Sequence, residues 1–190
     1  MDLPLPASMP PRERSAGAAP DEALAVAFGE LATDYYERVF QFLARQVRQR
    51  HEAEDLTQRT FIRAFRAFPR FDRARPFAPW IFTIARRELI DYYRRLRPET
   101  AELEEAHAVS RAAPDRAAEQ EDAAARVWEL AEALPPKQRQ ALLLHYGEGF
   151  SLPEVAAIMN LTHVHAKVLV FRARQRLRRA WGEETREMDR

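Results

Sequence analysis

Apolar residues recur at steps of three or four along most of this chain, and no stretch alternates apolar and polar residues as a strand does. A long amphipathic helix is predicted to start at Asp21 or Glu22, with a candidate break near Gly29. Further helices are predicted over residues 52–68, 80–95, 121–133, 137–146, 151–160 and 162–181. The pattern therefore predicts an all-α protein.

Proline content and charge divide these helices into two small domains. Residues 1–20 hold five prolines among small residues and are predicted to be a disordered tail, because they offer too little apolar surface to bury. Residues 21–97 form the first predicted domain and residues 121–182 the second. Residues 98–120, rich in Glu and Ala, are predicted to be a flexible acidic linker, and residues 183–190 a flexible tail.

The net charge of +1 conceals a strong segregation of charge along the sequence. Residues 59–97 carry a net charge of +8 and residues 137–182 a net charge of +6, whereas residues 98–136 carry −7. Blocks of one sign set the local field, so the two basic blocks are candidates for binding a polyanion. The acidic linker at residues 98–120 is either a solvated connector or an imitation of a nucleic-acid strand.

Arginines alternate with aromatic residues over residues 51–97. Arginines attract phosphates regardless of base sequence, and aromatic rings offer flat faces on which unstacked bases can lie. The pattern thus indicates contact with opened nucleic acid. Arginines on a solvated surface around an aromatic core would give the same pattern, so both interpretations remain open.

Residues 151–181 show the layout of a helix-turn-helix, whose second helix enters the major groove of DNA. Ser151 and Glu154 form a capping box for the first helix, which ends near Asn160, and Thr162 can cap the second. In the second helix a buried stripe is predicted for Ala166, Val170, Ala173 and Leu177, and an outward stripe for His163, Lys167, Phe171 and Arg174.

Motifs for catalysis or metal binding are missing from the sequence. There is no cysteine, no glycine-rich phosphate loop and no nucleophile elbow. His163 and His165 do not share a helix face, so they make a poor metal site. We therefore expect no enzyme activity, no metal and no cofactor. No apolar run reaches the roughly 20 residues that span a bilayer, so no membrane insertion and a cytoplasmic location are expected.

Three motifs, AEDLTQRTFIRAFRAF, PFAPWIFTIARRELIDYYRR and LPPKQRQALLLHYGEGFSLPEVAAIM, resemble bacterial RNA polymerase sigma factors of the extracytoplasmic-function (ECF) group. The resemblance covers roughly residues 30–181. It implies two helical domains, called regions 2 and 4, that bind core RNA polymerase and promoter DNA, both as duplex and as a melted non-template strand. It also implies an anti-sigma protein as a partner.

The resemblance assigns three sets of candidate residues. The surface that docks on core polymerase would include Asp55, Leu56, Gln58 and Phe61. The surface for the minus-ten element would include Arg73, Arg75, Trp80, Arg86, Arg87 and Arg94. Asp91 matches the same motif and either serves there or braces the helix. The helix that reads the minus-thirty-five element would use His163, Lys167, Val168, Phe171, Arg172 and Arg174.

The sequence departs from the family pattern at two places. Arg87 stands where relatives commonly have an Asn that takes a flipped base, and a guanidinium cannot offer the same donor and acceptor pair. In the last helix, Val168 and Leu169 replace polar residues. They either contact thymine methyl groups, form a protein interface, or reflect altered minus-thirty-five binding.

A second hypothesis is an autonomous helix-turn-helix regulator that binds duplex DNA as a dimer through residues 137–181. It leaves the EDLTQ and Trp80 segments without a role, and the sequence offers no dimerisation helix.

Overall fold

The computed structural model describes the backbone of residues 18–96 and 119–188, and the side chains of residues 22–96 and 126–182. Its regular elements are helical throughout these ranges, which confirms the all-α prediction. The helices are α1 (Ala18–Ala44), α2 (Arg50–Ala67), α3 (Phe77–Leu96), α4 (Glu119–Glu132), α5 (Pro136–Leu142), α6 (Leu152–Met159) and α7 (His163–Met188). A 3-10 turn (Phe68–Arg70) follows α2, and a π turn (Leu143–Gly147) follows α5. Among the described helices, none is long and apolar enough to cross a membrane.

The predicted tail and linker at residues 1–20 and 98–120 lie mostly outside the described residues. Where they overlap, the prediction was wrong, because α1 already begins at Ala18 and α4 at Glu119. Pro20 fits near the start of α1, since the first amides of a helix have no helical acceptor and proline lacks that donor. Gly29 does not break the helix.

Two other helix ends differ from the prediction. The helix α3 begins at Phe77 rather than Trp80, and Pro79 lies in its first turn, where the ring is tolerated. The helix α7 continues to Met188, so the predicted flexible tail is helical up to that residue.

The first bundle consists of α1, α2 and α3, which pack against one another. Phe28 of α1 lies at its aromatic centre and meets the rings of four phenylalanines at centroid distances of 5.1–6.4 Å: Phe61, Phe65, Phe68 and Phe77. Edge-to-face pairs of this kind stabilise a core beyond the burial of their area. Most of the aromatic residues in the arginine-aromatic stretch therefore serve the core.

The second bundle consists of α4, α5, α6 and α7. Ser151 and Glu154 form the predicted capping box at the start of α6, and Asn160 ends it with a left-handed backbone at φ 54°. Thr162 Oγ1 accepts a hydrogen bond from the His165 amide at 3.2 Å and caps α7. The helix-turn-helix layout is thus present in the fold.

The two bundles pack directly on each other along a surface that we call the seam. Phe82 of α3 meets Phe150 edge-on at 5.1 Å, and Arg86 donates a hydrogen bond to Gln140 of α5 at 3.2 Å. From α1, Arg38 pairs with the Glu148 carboxylate at 3.1 Å and also donates to its carbonyl. Buried apolar residues of both bundles form one continuous core. Sequence reasoning predicted two domains joined by a linker and made no prediction about contact between them.

Candidate functional site

One face of α2 points away from the core and carries polar and apolar side chains together. Asp55, Gln58, Ile62 and Phe65 are exposed on it at steps of three and four, and we call this set the α2 stripe. Of the residues assigned to polymerase docking, Asp55 and Gln58 belong to the stripe. Leu56 is only 1% exposed and lies in the core. Phe65 remains exposed, whereas Phe61 and Phe68 of the same segment are buried.

A tyrosine from α1 extends the α2 stripe. Tyr36 is exposed and stacks on Phe61 with ring centroids 5.4 Å apart. Phe61 itself is buried, so its assigned docking role is indirect: it supports the exposed ring beside it. Exposed apolar groups beside a carboxylate and an amide are suited to a protein partner, because such a surface offers both burial and directional hydrogen bonds.

One face of α3 carries the side chains that the resemblance links to the minus-ten element. Trp80, Arg87 and Arg94 recur at steps of seven and therefore lie on the same side of the helix. Both arginines are exposed, whereas Trp80 is half-buried against Phe71 and Phe77 at centroid distances of 4.6 and 5.3 Å. The structure thus brings these three residues onto one surface.

The loop before α3 adds cations to that surface. Arg73 and Arg75 are both exposed, Arg73 lies over the Phe68 ring at 5.6 Å, and Arg75 pairs with Asp72 at 3.4 Å. Phe71 lies beside Trp80, and sequence reasoning missed it. Its position in an arginine-rich loop could have indicated a binding role, because an aromatic residue in a predicted loop is less often part of the core than one in a helix.

Arg86 was assigned to the minus-ten surface together with Arg87, but its side chain is half-buried while that of Arg87 is exposed. Phe82, Arg86 and Tyr93 recur at steps of four and seven on a different face of α3. All three meet the second bundle, Tyr93 through an electrostatic contact with Arg139. Burial in the seam lowers the pKa of Arg86, and the neighbouring Arg87 lowers it further. Arg86 is a seam residue in this structure.

An ion-pair cluster fixes α3 on α2. Arg63 Nε lies 2.8 Å from the carboxylate of Glu88, a residue only 4% exposed, and Arg63 Nη1 lies 3.6 Å from Asp91. Asp91 also pairs with Arg94 at 3.3 Å. Asp91 therefore braces the helix, one of the two roles that the sequence left open. Sequence reasoning missed Arg63 and Glu88, because a pairing between helices leaves no local pattern.

The helix α7 presents the residues assigned to the minus-thirty-five element. Exposed side chains on it include His163, Lys167, Phe171, Arg172 and Arg174. Ala166, Val170 and Ala173 are buried as predicted, and Leu177 is half-buried. Val168 is half-buried, and Leu169 is buried at 6% exposure. Leu169 is thus a core residue, and neither of the two contacts considered for it, with thymine or with a protein, is open to it.

Clusters of metal-ligating side chains are absent from the described part of the chain. No group of three or more His, Asp or Glu side chains there could hold a metal ion. The arrangement consists of three exposed surfaces on a helical scaffold, which suits binding to macromolecules.

Family models match both bundles. The model described as Sigma-70 region 2 matches residues 31–99, and the one described as Sigma-70, region 4 matches residues 124–177. The first match covers the α2 stripe and α3, and the second covers the helix-turn-helix.

Individual proteins that are similar to this chain agree with the two family models. The chain is 32% identical to the ECF RNA polymerase sigma factor SigM of Bacillus subtilis, over 78% of this chain and 91% of SigM. It is also 32% identical to the ECF RNA polymerase sigma factor BldN of Streptomyces coelicolor, over 84% of this chain but only 62% of BldN. Among solved structures, CnrH in complex with the cytosolic domain of CnrY matches with a TM-score of 0.65 and 25% identity, over 87% of this chain and 94% of that chain.

Proposed function

Since this chain belongs to the ECF group of RNA polymerase sigma factors, we propose that its two bundles divide promoter recognition between them. The chain is a promoter-specificity subunit that binds core RNA polymerase, recognises promoter DNA and helps to open it. The first bundle docks on polymerase and holds the minus-ten element, and the second reads the minus-thirty-five element. The polymerase performs the chemistry, so this chain contributes binding energy and needs no cofactor of its own.

Docking on polymerase is assigned to the α2 stripe. The observation that supports this best is that the stripe is exposed, mixes apolar and polar groups, and lies on the bundle that lacks the helix-turn-helix. Ile62, Phe65 and the adjacent Tyr36 supply apolar area, while Asp55 and Gln58 supply directional hydrogen bonds. Leu56 and Phe61 act from beneath by holding the stripe in shape.

Minus-ten binding is assigned to the Trp80 face of α3 and the loop before it. Bases that leave the duplex would stack on Trp80 and Phe71, while Arg73, Arg87 and Arg94 attract the phosphates. Aromatic stacking contributes about 1–3 kcal/mol per base, which is comparable to the cost of unpairing one base. An Arg at position 87 holds the flipped base by its fixed fork of donors and attracts the adjacent phosphate by its charge.

The seam must open before Arg86 can join the minus-ten surface. The seam combines an apolar contact, Phe82 on Phe150, with Nε of Arg139, a buried atom that finds no hydrogen-bond partner in the described structure. Each such atom costs about 1–3 kcal/mol when buried. Because an unsatisfied buried polar atom weakens the seam, the two bundles can separate when polymerase binds. The cations of α3 that the seam covers, such as Arg86, then become accessible to DNA.

A regulatory protein partner of the anti-sigma kind follows from the family, and one structural neighbour, CnrH, is bound to another protein, the cytosolic domain of CnrY. The match to CnrH extends over 87% of this chain and so includes both bundles. Such a partner would act where polymerase and promoters are, in the cytoplasm, and it would compete for the α2 stripe or hold the seam closed.

Purified core polymerase provides the test of polymerase docking. Asp55→Ala and Gln58→Ala should weaken assembly of the one-to-one complex in analytical sedimentation, because both side chains lie on the α2 stripe. Asp34→Ala provides a matched control, since Asp34 is also an exposed helical aspartate but lies on α1 outside the stripe. Equal weakening by all three variants would refute the assignment of the stripe.

Run-off transcription with core polymerase on a genomic promoter library provides the functional test. The full chain should direct initiation at a defined set of start sites. The alternative, an autonomous helix-turn-helix regulator, predicts tight binding to palindromic duplex DNA without polymerase and no polymerase complex. That outcome would overturn the proposed function.

A further inference from the structure

The outer face of α7 carries an apolar stripe that the core does not use. Val164, Val168 and Phe171 recur at steps of four and three, and Val164 and Phe171 are 70% and 58% exposed. At 3.6 residues per turn this apolar stripe lies opposite the buried face that contains Ala166 and Ala173. Exposed apolar side chains on a helix face away from the core mark a binding surface when they are contiguous.

Cations lie on both sides of the apolar stripe. Lys167 and Arg174, seven residues apart, line one side, and Arg172 lines the other. Within the described part of the chain none of the three forms an ion pair. No acidic residue occurs between His163 and Gly182. This arrangement favours a partner with an apolar centre and negative charge along both margins.

The major groove of DNA has this arrangement. It is about 12 Å wide, which admits a helix of about 10–12 Å diameter, and phosphates line both of its margins. The apolar group on its floor is the C5-methyl of thymine, which alanine, threonine or phenylalanine side chains contact in direct readout. Charge complementarity along both sides of the stripe therefore selects duplex DNA as the occupant.

We propose that Val164 and Phe171 read the methyl groups of two thymines in the minus-thirty-five element. The inference rests on the proposed function, in which α7 enters the major groove. The two side chains lie about 10 Å apart along the helix, since each residue rises 1.5 Å. Because a helix in the inclined major groove is not parallel to the duplex axis, this separation corresponds to thymines at most about three base pairs apart, at 3.4 Å per base pair. The burial of Leu169 assigns the apolar readout to Val164 and Phe171, with Val168 between them.

Removal of single methyl groups from the DNA tests the inference. Holoenzyme made with the full chain is bound to duplexes that carry the minus-thirty-five sequence from the run-off map. Thymines are replaced one at a time by deoxyuridine, which lacks only the methyl group. Affinity should fall about fourfold at each of two positions, the factor expected for one buried methyl. Phe171→Ala should reduce the effect at one position and Val164→Ala at the other, because the shorter side chain buries less of the methyl group.

Val127→Ala is the matched control, because Val127 is an exposed valine on α4 rather than α7. It should leave both methyl effects intact. Circular dichroism of each variant checks that the helix content is unchanged.

Three outcomes would overturn the inference. They are equal affinity for thymine and deoxyuridine at every position, a minus-thirty-five sequence without thymines at that spacing, and a loss of polymerase assembly in Phe171→Ala without a loss of methyl discrimination. In each of these cases run-off transcription by the unaltered chain would persist. Loss of transcription from every promoter would instead indicate that the proposed function had failed.

Discussion

Removal of the Arg63 side chain should destabilise the first bundle by about 2 kcal/mol. The Glu88 carboxylate is almost completely buried, and Arg63 lies 2.8 Å from it. Breaking a fully buried ion pair on one side costs about 3–5 kcal/mol, and a hydrogen bond to a charged group contributes about 1.5–3 kcal/mol. The Arg63 side chain is 53% exposed, so water can replace part of its contact and the lower range applies.

Urea denaturation of the full chain, followed by circular dichroism, measures this cost in the variant Arg63→Met. Methionine keeps the unbranched stem and removes the charge. The control is Arg59→Met on the same helix. The Arg59 pair with Asp55 spans 3.9 Å at the surface, and such pairs contribute about 0–1 kcal/mol.

A second substitution separates the buried charge from the lost packing. Adding Glu88→Met to Arg63→Met removes the carboxylate that was left without a partner, so the double variant should recover much of the lost stability. If Arg63→Met costs no more than Arg59→Met, or if the double variant is no more stable than the single one, Glu88 does not depend on Arg63 and the reasoning is wrong.

Three further predictions concern α3, the seam and the cap of α6. Arg87→Ala should leave polymerase assembly intact and reduce strand opening, measured as permanganate reactivity of unpaired thymines; loss of assembly with normal opening would contradict it. Burial raises the pKa of Glu148 against the opposing pull of Arg38, so the closed form binds this proton more tightly. The contact between the two bundles should therefore weaken as the pH rises from the ordinary pKa of 4.5 through the raised pKa of Glu148. Energy transfer between dyes on the two bundles measures this opening. In Glu148→Gln the energy transfer should no longer depend on pH in this range. Ser151→Ala should cost about 1 kcal/mol in urea denaturation, and a cost near zero would refute the role of the cap.

Local features were predictable because their causes lie within a few residues. Ser151 and Glu154 are three positions apart, and their reciprocal hydrogen bonds follow from that spacing alone. The two faces of α7 followed in the same way, from the period of an amphipathic helix.

Arg86 and Arg87 illustrate what the sequence could not reveal. The two residues are adjacent and identical, and both follow an apolar stretch. Which of them meets solvent depends on where the second bundle packs against α3, and no local pattern contains that information. Phe61 and Phe65 present the same problem on α2, because the position of α1 decides which ring is buried.

The packing of α6 on α3 also limits the length of duplex DNA that the chain can span while the seam is closed. The two promoter elements are named for positions about 25 base pairs apart, which corresponds to roughly 85 Å of duplex at 3.4 Å per base pair. Helices in direct contact cannot reach both ends of such a length. If the two bundles bind the two elements as proposed, only the opened chain can span the spacer between them, and a closed chain can contact one element at a time.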